Sequence, residues 1–286
     1  MPWRGAFNRT LHLMATRPLL WVFAVAGGLV NVLLGPIPER GLGIPWAEPL
    51  ASMAGGMAAT SLLGLGVWVV RGMLHAWLRA GVVHQVLARP GTPWRSSLRF
   101  AAAMSAPLAG ITLVTSGLLW AMGEITWVPI WAGQAMGIAQ VEDAGMFLLF
   151  TWWLVWGGGM VVLGIWASWA YQACLQEQLG LWEALASGWR VVRERFGPVL
   201  GLFLAVGLVE SGLMGLVLAL AWGAGVDITS VFAQMVSSGA APVGVWVGGV
   251  VVHSGAFLFQ WVLYTEAWPY IGIKTQHLET PAASSR

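Results

Sequence analysis

Charge is what this chain has least of. Only 9% of its residues are Asp, Glu, Lys or Arg, while 58% are hydrophobic. A soluble domain carries about 25% charged residues. Too few are present here to cover a water-facing surface, so lipid must solvate much of it. Cysteine is nearly absent as well. Cys174 stands alone, which excludes a disulfide framework and a thiolate metal cluster. No basic run suits nucleic acid. HExxH, CxxCH and a phosphate-binding glycine loop are all missing, and Gly157-Gly158-Gly159 sits in an apolar run with no Lys after it. No catalytic constellation or metal site is legible, and the chain reads as non-enzymatic.

What is present is apolar length. Long runs cover roughly Pro18–Leu34, Leu50–Val70, Ala101–Met122, Gly145–Tyr171, Pro198–Trp222 and Val243–Thr265. Each is near or above the ~17–25 residues that cross a bilayer. The expected fold is an all-α membrane protein with six transmembrane helices. It forms a single membrane domain over residues 1–275, with a disordered tail over 276–286. Ala24-Val25-Ala26 resembles a signal-peptide cleavage site, but cutting there leaves too short a hydrophobic region, so the first run is expected to stay as a helix. The chain is rich in Gly (38) and Trp (20). Gly permits close helix contacts in membranes, and Trp favours the membrane–water interface.

The charges alternate between the runs. Of the 14 basic residues, all but Arg40 fall in the N-terminal segment, the segments 71–99 and 177–195, or the tail. The positive-inside rule makes that side cytoplasmic, with both termini there, as for a bacterial inner (plasma) membrane protein. The sequon Asn8-Arg9-Thr10 is then on the wrong side for glycosylation.

Pro18, Pro107 and Pro198 each stand at or near the start of an outward run, and each follows a basic, partly aromatic segment. This spacing predicts three helical hairpins, each led by a basic amphipathic interfacial segment. In the clearest of these, Leu181, Leu185, Trp189, Val192 and Phe196 form the apolar face. Glu183, Ser187, Arg190 and Glu194 form the opposing one, with Arg193 adding a further cation. The segment is expected to lie in the interface plane with Trp189 among headgroups.

Two stretches resemble a known family. One runs from Leu175-Gln176-Glu177-Gln178-Leu179-Gly180-Leu181-Trp182-Glu183-Ala184-Leu185 into Gly188-Trp189-Arg190-Val191-Val192-Arg193-Glu194-Arg195-Phe196-Gly197-Pro198-Val199-Leu200-Gly201. The other runs from Ala80-Gly81-Val82-Val83 through Pro93-Trp94-Arg95-Ser96-Ser97-Leu98-Arg99. With most of the chain, they resemble the bacterial membrane-domain family attached to some glycerophosphodiester phosphodiesterases, and its stand-alone relatives. The resemblance implies a six-helix membrane domain. It does not imply phosphodiesterase activity.

The polar residues inside the runs are the candidate sites. Glu210 and His253 lie deep in the fifth and sixth runs, and Asn31 lies at a matching position of the first. Such groups are costly in a membrane and are either functional or paired structurally. Counted from the cytoplasmic ends, Glu210 and His253 share a depth on consecutive helices, which predicts that they meet. His253 also keeps open ligation of a haem or chlorophyll, although no cofactor is otherwise called for. Arg71, His75 and Arg79, four residues apart, share one helix face. They suit an anionic lipid headgroup or phosphate, or else simply anchor the topology. Gly207, Ser211 and Gly215, and Gly244 with Gly248, suit tight helix contacts.

The expected function is that of an integral membrane protein acting through membrane lipids or a protein partner, as an accessory subunit, scaffold or homo-oligomer. The alternatives are a small-solute transporter and a pigment- or haem-binding subunit. The topology is open to direct test. In a Cys174→Ala background, single cysteines at positions 89 and 280 should resist an impermeant thiol reagent applied to intact cells and react after permeabilisation. Labelling of either from outside would overturn the assignment of sides.

Overall fold

The computed structural model describes residues 3–33, 50–118, 121, 144–226 and 243–272. Among these the chain is all helical, with no strand. The helices are α1 (Trp3–Thr16), α2 (Pro18–Leu33), α3 (Leu50–Leu87), α4 (Trp94–Ala103), α5 (Ser105–Leu118), α6 (Ala144–Glu177), α7 (Leu181–Glu194), α8 (Phe196–Gly223) and α9 (Val243–Ile271). Along the chain, a short helix, a break, an apolar helix and then a long helix follow one another three times.

The breaks have local causes. α1 and α2 meet at 93° across Arg17, and α4 and α5 at 62° across Met104. α7 and α8 are separated at Arg195, whose φ is −127°. Pro18 opens α2, and Pro107 and Pro198 fall in the first turns of α5 and α8. Proline has no N–H to continue the preceding helix, and a first turn does not need that donor. At the first break the Arg17 side chain donates to the carbonyls of Gln85, Val86 and Ala88 at the end of α3. These are acceptors a helix C-terminus leaves unsatisfied, where a cation also opposes the helix dipole.

α9 is the hub. It packs against α1, α2, α3, α6 and α8. Trp261, Val262, Leu263 and Tyr264 are fully enclosed. Trp169 of α6 stacks on Tyr264 and Trp268, with ring centroids 5.4 and 5.7 Å apart. Arg9 of α1 reaches Glu266 at 2.6 Å and Tyr270 at 2.8 Å, fastening α1 across the last turns of α9. That surface ion pair contributes modestly, about 1 kcal/mol or less. By contrast α8 is mostly exposed, with Leu204, Leu208, Leu216 and Leu220 all facing outward.

Three helices are long and apolar enough to cross a membrane on their described residues: Gly157–Glu177 of α6, α8, and Val247–Ile271 of α9. If each bent pair, α1–α2 and α4–α5, is one span, the number rises to five. The loops expected on the far side and the tail from 276 lie outside the described residues.

The interfacial helix differs from its reading in sequence. It ends at Glu194, and Phe196 begins α8 rather than closing the same apolar face. Ser187, assigned to the polar face, is buried, together with Ala184, Leu185, Gly188, Val191 and Val192. Trp189 is about half exposed, as is Phe196. Size explains the rotation. A Cβ on Gly188 would lie 2.6 Å from the backbone nitrogen of Ala170, so α7 rests directly on α6 through its smallest residues. Trp166 then donates its indole N–H to the Leu185 carbonyl at 2.9 Å. Trp182 and Trp189 stay exposed next to Arg190 and Arg193, with Trp189 edge-on to Trp166 of α6 at 6.3 Å between centroids. Gly188→Val should therefore destabilise the purified protein by about 1–3 kcal/mol, the usual cost of overpacking. Gly158, with nothing within 4 Å, is the control, and Gly158→Val should change stability by no more than about 0.5 kcal/mol. Unfolding in mixed micelles by SDS titration measures both, and equal effects would refute the close seating of α7.

Candidate functional site

α8 and α9 approach closely where glycines face them. A Cβ on Gly248 would meet Val217 at 2.9 Å, and one on Gly255 would meet Leu213 at 3.1 Å. Between these contacts the Glu210 carboxylate and the His253 Nδ1 lie 3.3 Å apart, as their shared depth in the sequence predicts. Of the small-residue stripes, read in the sequence as tight contacts within or between chains, that of α8 makes no close contact within the described chain. Gly207 and Gly215 have nothing within 4 Å among the described residues, so α8 packs through Leu213 and Val217 while α9 supplies the glycines.

Arg71, His75 and Arg79 occupy successive turns of α3. The sequence puts them at the end of the second apolar run. The structure sets them opposite Glu210 and His253, and the five line one cavity of about 350 Å³. That is within the range of small-molecule sites, about 300–1,000 Å³. Gly72, Ala256, Phe257 and Gln260 complete its walls. Along α3, Arg79 and Arg71 stand about 9 and 21 Å from Gln85, where Arg17 marks the level of the break. Glu210 lies about 22 Å from Arg195 by the same rise. All five residues thus sit well inside the bundle.

The inner end of the cavity is braced by aromatic residues. The Arg79 guanidinium carbon is 4.5 Å from the centroid of the Trp261 ring and 4.8 Å from that of Tyr171. Cation–π contacts of this kind contribute about 2 kcal/mol when desolvated. Tyr171 is aimed by Thr112, whose hydroxyl shares a 2.7 Å hydrogen bond with the phenol. Thr112 in turn lies against Gly72, where any Cβ would come within 2.6 Å of its methyl. Among the described residues no carboxylate pairs with Arg79, and its Nε is buried without a hydrogen-bond acceptor. The His75 ring lies 5.4 Å from that of Phe257 and is only 6% exposed. The other end is open. The side chains of His253 and Glu210 are 31% and 45% exposed.

The site is therefore a pocket with Arg79 at its closed end and the carboxylate–imidazole pair, level with Arg71, at its mouth. Arg71 and Arg79 line it together with Glu210, the carboxylate on its walls among the described residues. No group of three or more metal-ligating side chains occurs among the described residues. His75 was expected at the edge of the bundle, remote from His253, yet it shares this cavity with it. Asn31 lies in α2, and its side chain falls outside the described part. Trp189, Arg190, Arg193 and Phe196 lie at the α7–α8 break, remote in sequence from the α3 face and contributing nothing to the cavity lining.

The sequence reading missed the Tyr171–Trp261 clamp, the Thr112 support and the Arg9–Glu266 tie. Their signal was only an unusual density of aromatics in α6 and α9, which also fits ordinary packing. No protein-family model, curated protein or solved structure matches the chain.

Proposed function

We propose that this is a non-enzymatic integral membrane protein with six spans. In this reading it works through a membrane-derived anionic amphiphile held in the cavity between α3, α8 and α9. The observation that carries this reading is Arg79, partly buried against the faces of Tyr171 and Trp261, with its Nε buried and no carboxylate partner among the described residues. An arginine at the centre of a membrane helix costs about 2.5–3.5 kcal/mol on insertion scales. Such a group is retained where an anion meets it.

The amphipathic helices α1, α4 and α7 lie in the cytoplasmic interface in this reading. Arg71 to Arg79 then fall between the middle of a ~30 Å core and its inner edge, not beyond it. The mouth at Glu210 and His253 opens at mid-depth beside the lipid-facing surface of α8. A ligand arriving there comes from the bilayer more readily than from water. The exposed Trp182, Trp189, Arg190 and Arg193 of α7 suit contact with headgroups at that same face. Protein partners or a second copy of the chain would dock elsewhere on the lipid-facing helices.

A small-solute transporter is the second reading, favoured by the exposure of the Glu210–His253 pair on the cavity. It requires solute flux in proteoliposomes that Glu210→Gln abolishes.

Native mass spectrometry of the full chain released from mild detergent separates the two readings from each other and from a purely structural bundle. One retained anionic amphiphile per chain is expected, reduced several-fold in Arg71→Gln. A bare protein from both wild type and variant, with intact folding by size exclusion, would overturn the proposal.

A further inference from the structure

Glu210 and His253 stand together at the mouth of the cavity, with the carboxylate oxygen and Nδ1 3.3 Å apart and both side chains partly exposed. Two groups this close titrate as a pair and not singly. A carboxylate with a neutral imidazole carries one negative charge. One proton more makes the pair neutral overall, either as carboxylate and imidazolium or as carboxylic acid and imidazole. A further proton leaves it positive. Each proton taken up therefore removes repulsion from an anion in the same cavity, or adds attraction to it. The sign is the same whichever of these states the pair rests in.

The charges around the pair are of a different kind. Arg71 and Arg79 of α3 keep their charge throughout the working range of a protein. Arg71 is level with the pair, and Arg79 is about 12 Å deeper along its helix. His75, between them, is the third titratable group on the walls, enclosed against Phe257. α2 carries no ionisable side chain, and α8 carries none besides Glu210. α1 and α6 bring their charges to the other end of α9. Arg9 is on Glu266, and Gln176, next to Glu177, donates to the Thr265 carbonyl. Those positions are about 18 to 20 Å along the helix from His253. Tyr171 of α6 is at the closed end, hydrogen-bonded to Thr112 beside Arg79.

We infer that the Glu210–His253 pair is the proton switch of this cavity: a proton taken up there strengthens anion binding, and an anion bound in the cavity draws a proton onto the pair. This rests on the reading of the cavity as a site for an anionic amphiphile and names how that site is regulated. A ligand entering at the mouth brings its charged end past the pair before it reaches Arg79. Affinity rises as pH falls through the range in which the pair titrates, and it levels off on either side.

The test is isothermal titration calorimetry of the full chain in mild detergent with a short-chain phosphatidylglycerol, a phosphodiester of constant charge. Titrations run from about pH 5 to about pH 8, where imidazoles change charge. Repeating each in two buffers of different ionisation enthalpy counts the protons exchanged. Binding should be about tenfold tighter at the acid end, with protons taken up. Glu210→Gln and His253→Gln together should flatten the profile and abolish the uptake, while phosphatidylglycerol still binds to a folded, monodisperse protein. If the double variant does not fold, His253→Gln alone decides: a shifted profile supports the switch, and an unchanged one overturns it. Equal affinity at both ends in the wild type would overturn the switch and leave the anionic-amphiphile reading standing. A profile kept in the double variant would assign the titration to His75 and overturn the switch at the pair. The same profile with phosphatidylcholine, which has no net charge, would overturn it too. Failure of phosphatidylglycerol to bind at any pH would remove both readings.

Discussion

A guanidinium does not sit inside an apolar helix bundle without something to balance it, and this chain places two of them there. The surrounding features are arranged around that cost. Trp261 and Tyr171 face Arg79 from two sides, and Thr112 holds Tyr171 in place. Gly72 lets α5 come near enough for Thr112 to do so. Enlarging Gly72 would displace Thr112, free Tyr171 and uncover the cation. What the aromatics do not supply is negative charge. The one carboxylate on the cavity, Glu210, stands at the far end and is already engaged with His253. Among the described residues no carboxylate stands beside Arg79 at the closed end.

The repeated unit explains how such a pocket arises in a chain with so few charges. Each unit begins with a short helix and a break, bent by 93° at α1–α2 and by 62° at α4–α5. It sends one apolar helix away and returns with a longer one. α3 and α9 are both returning helices and run side by side, so polar residues at equal distance from their breaks come to one level. α8, an outgoing helix, reaches the same level from the opposite direction. Arg71, Glu210 and His253 converge on one cavity because α9 packs against both α3 and α8.

Parts of this were legible in the residues. Helical steps of four put Arg71, His75 and Arg79 on one face, and rise per residue put Glu210 and His253 at one depth. The three proline-marked breaks were legible because proline acts locally. The joining of the two polar groups into one site was not. A hydropathy reading ends an apolar run at the first arginine, so it assigned Arg71 to the edge of the membrane. Nothing in α3 itself shows that Tyr171 and Trp261, roughly 90 to 180 residues further on, shelter Arg79. The rotation of α7 was hidden for a related reason. Polarity placed Ser187 outward, while close packing selected Ser187 and Gly188 for their size. The family resemblance bears only on the six-helix expectation, of which the structure shows three to five candidate spans among the described residues.

The central claim is that Arg71 of α3 lies at the depth of Glu210 and His253, inside the bilayer. Depth can be read directly by spin labels on exposed neighbours of the site: Leu74 on α3, Leu208 on α8 and Val251 on α9, all outward-facing. In proteoliposomes, collision with oxygen and with a water-soluble nickel chelate ranks each label between headgroup and bilayer centre. The account predicts all three in the hydrocarbon core, within about one helical turn, ~5 Å, of each other. A label at position 74 that reports the headgroup region, while those at 208 and 251 report the core, would contradict it.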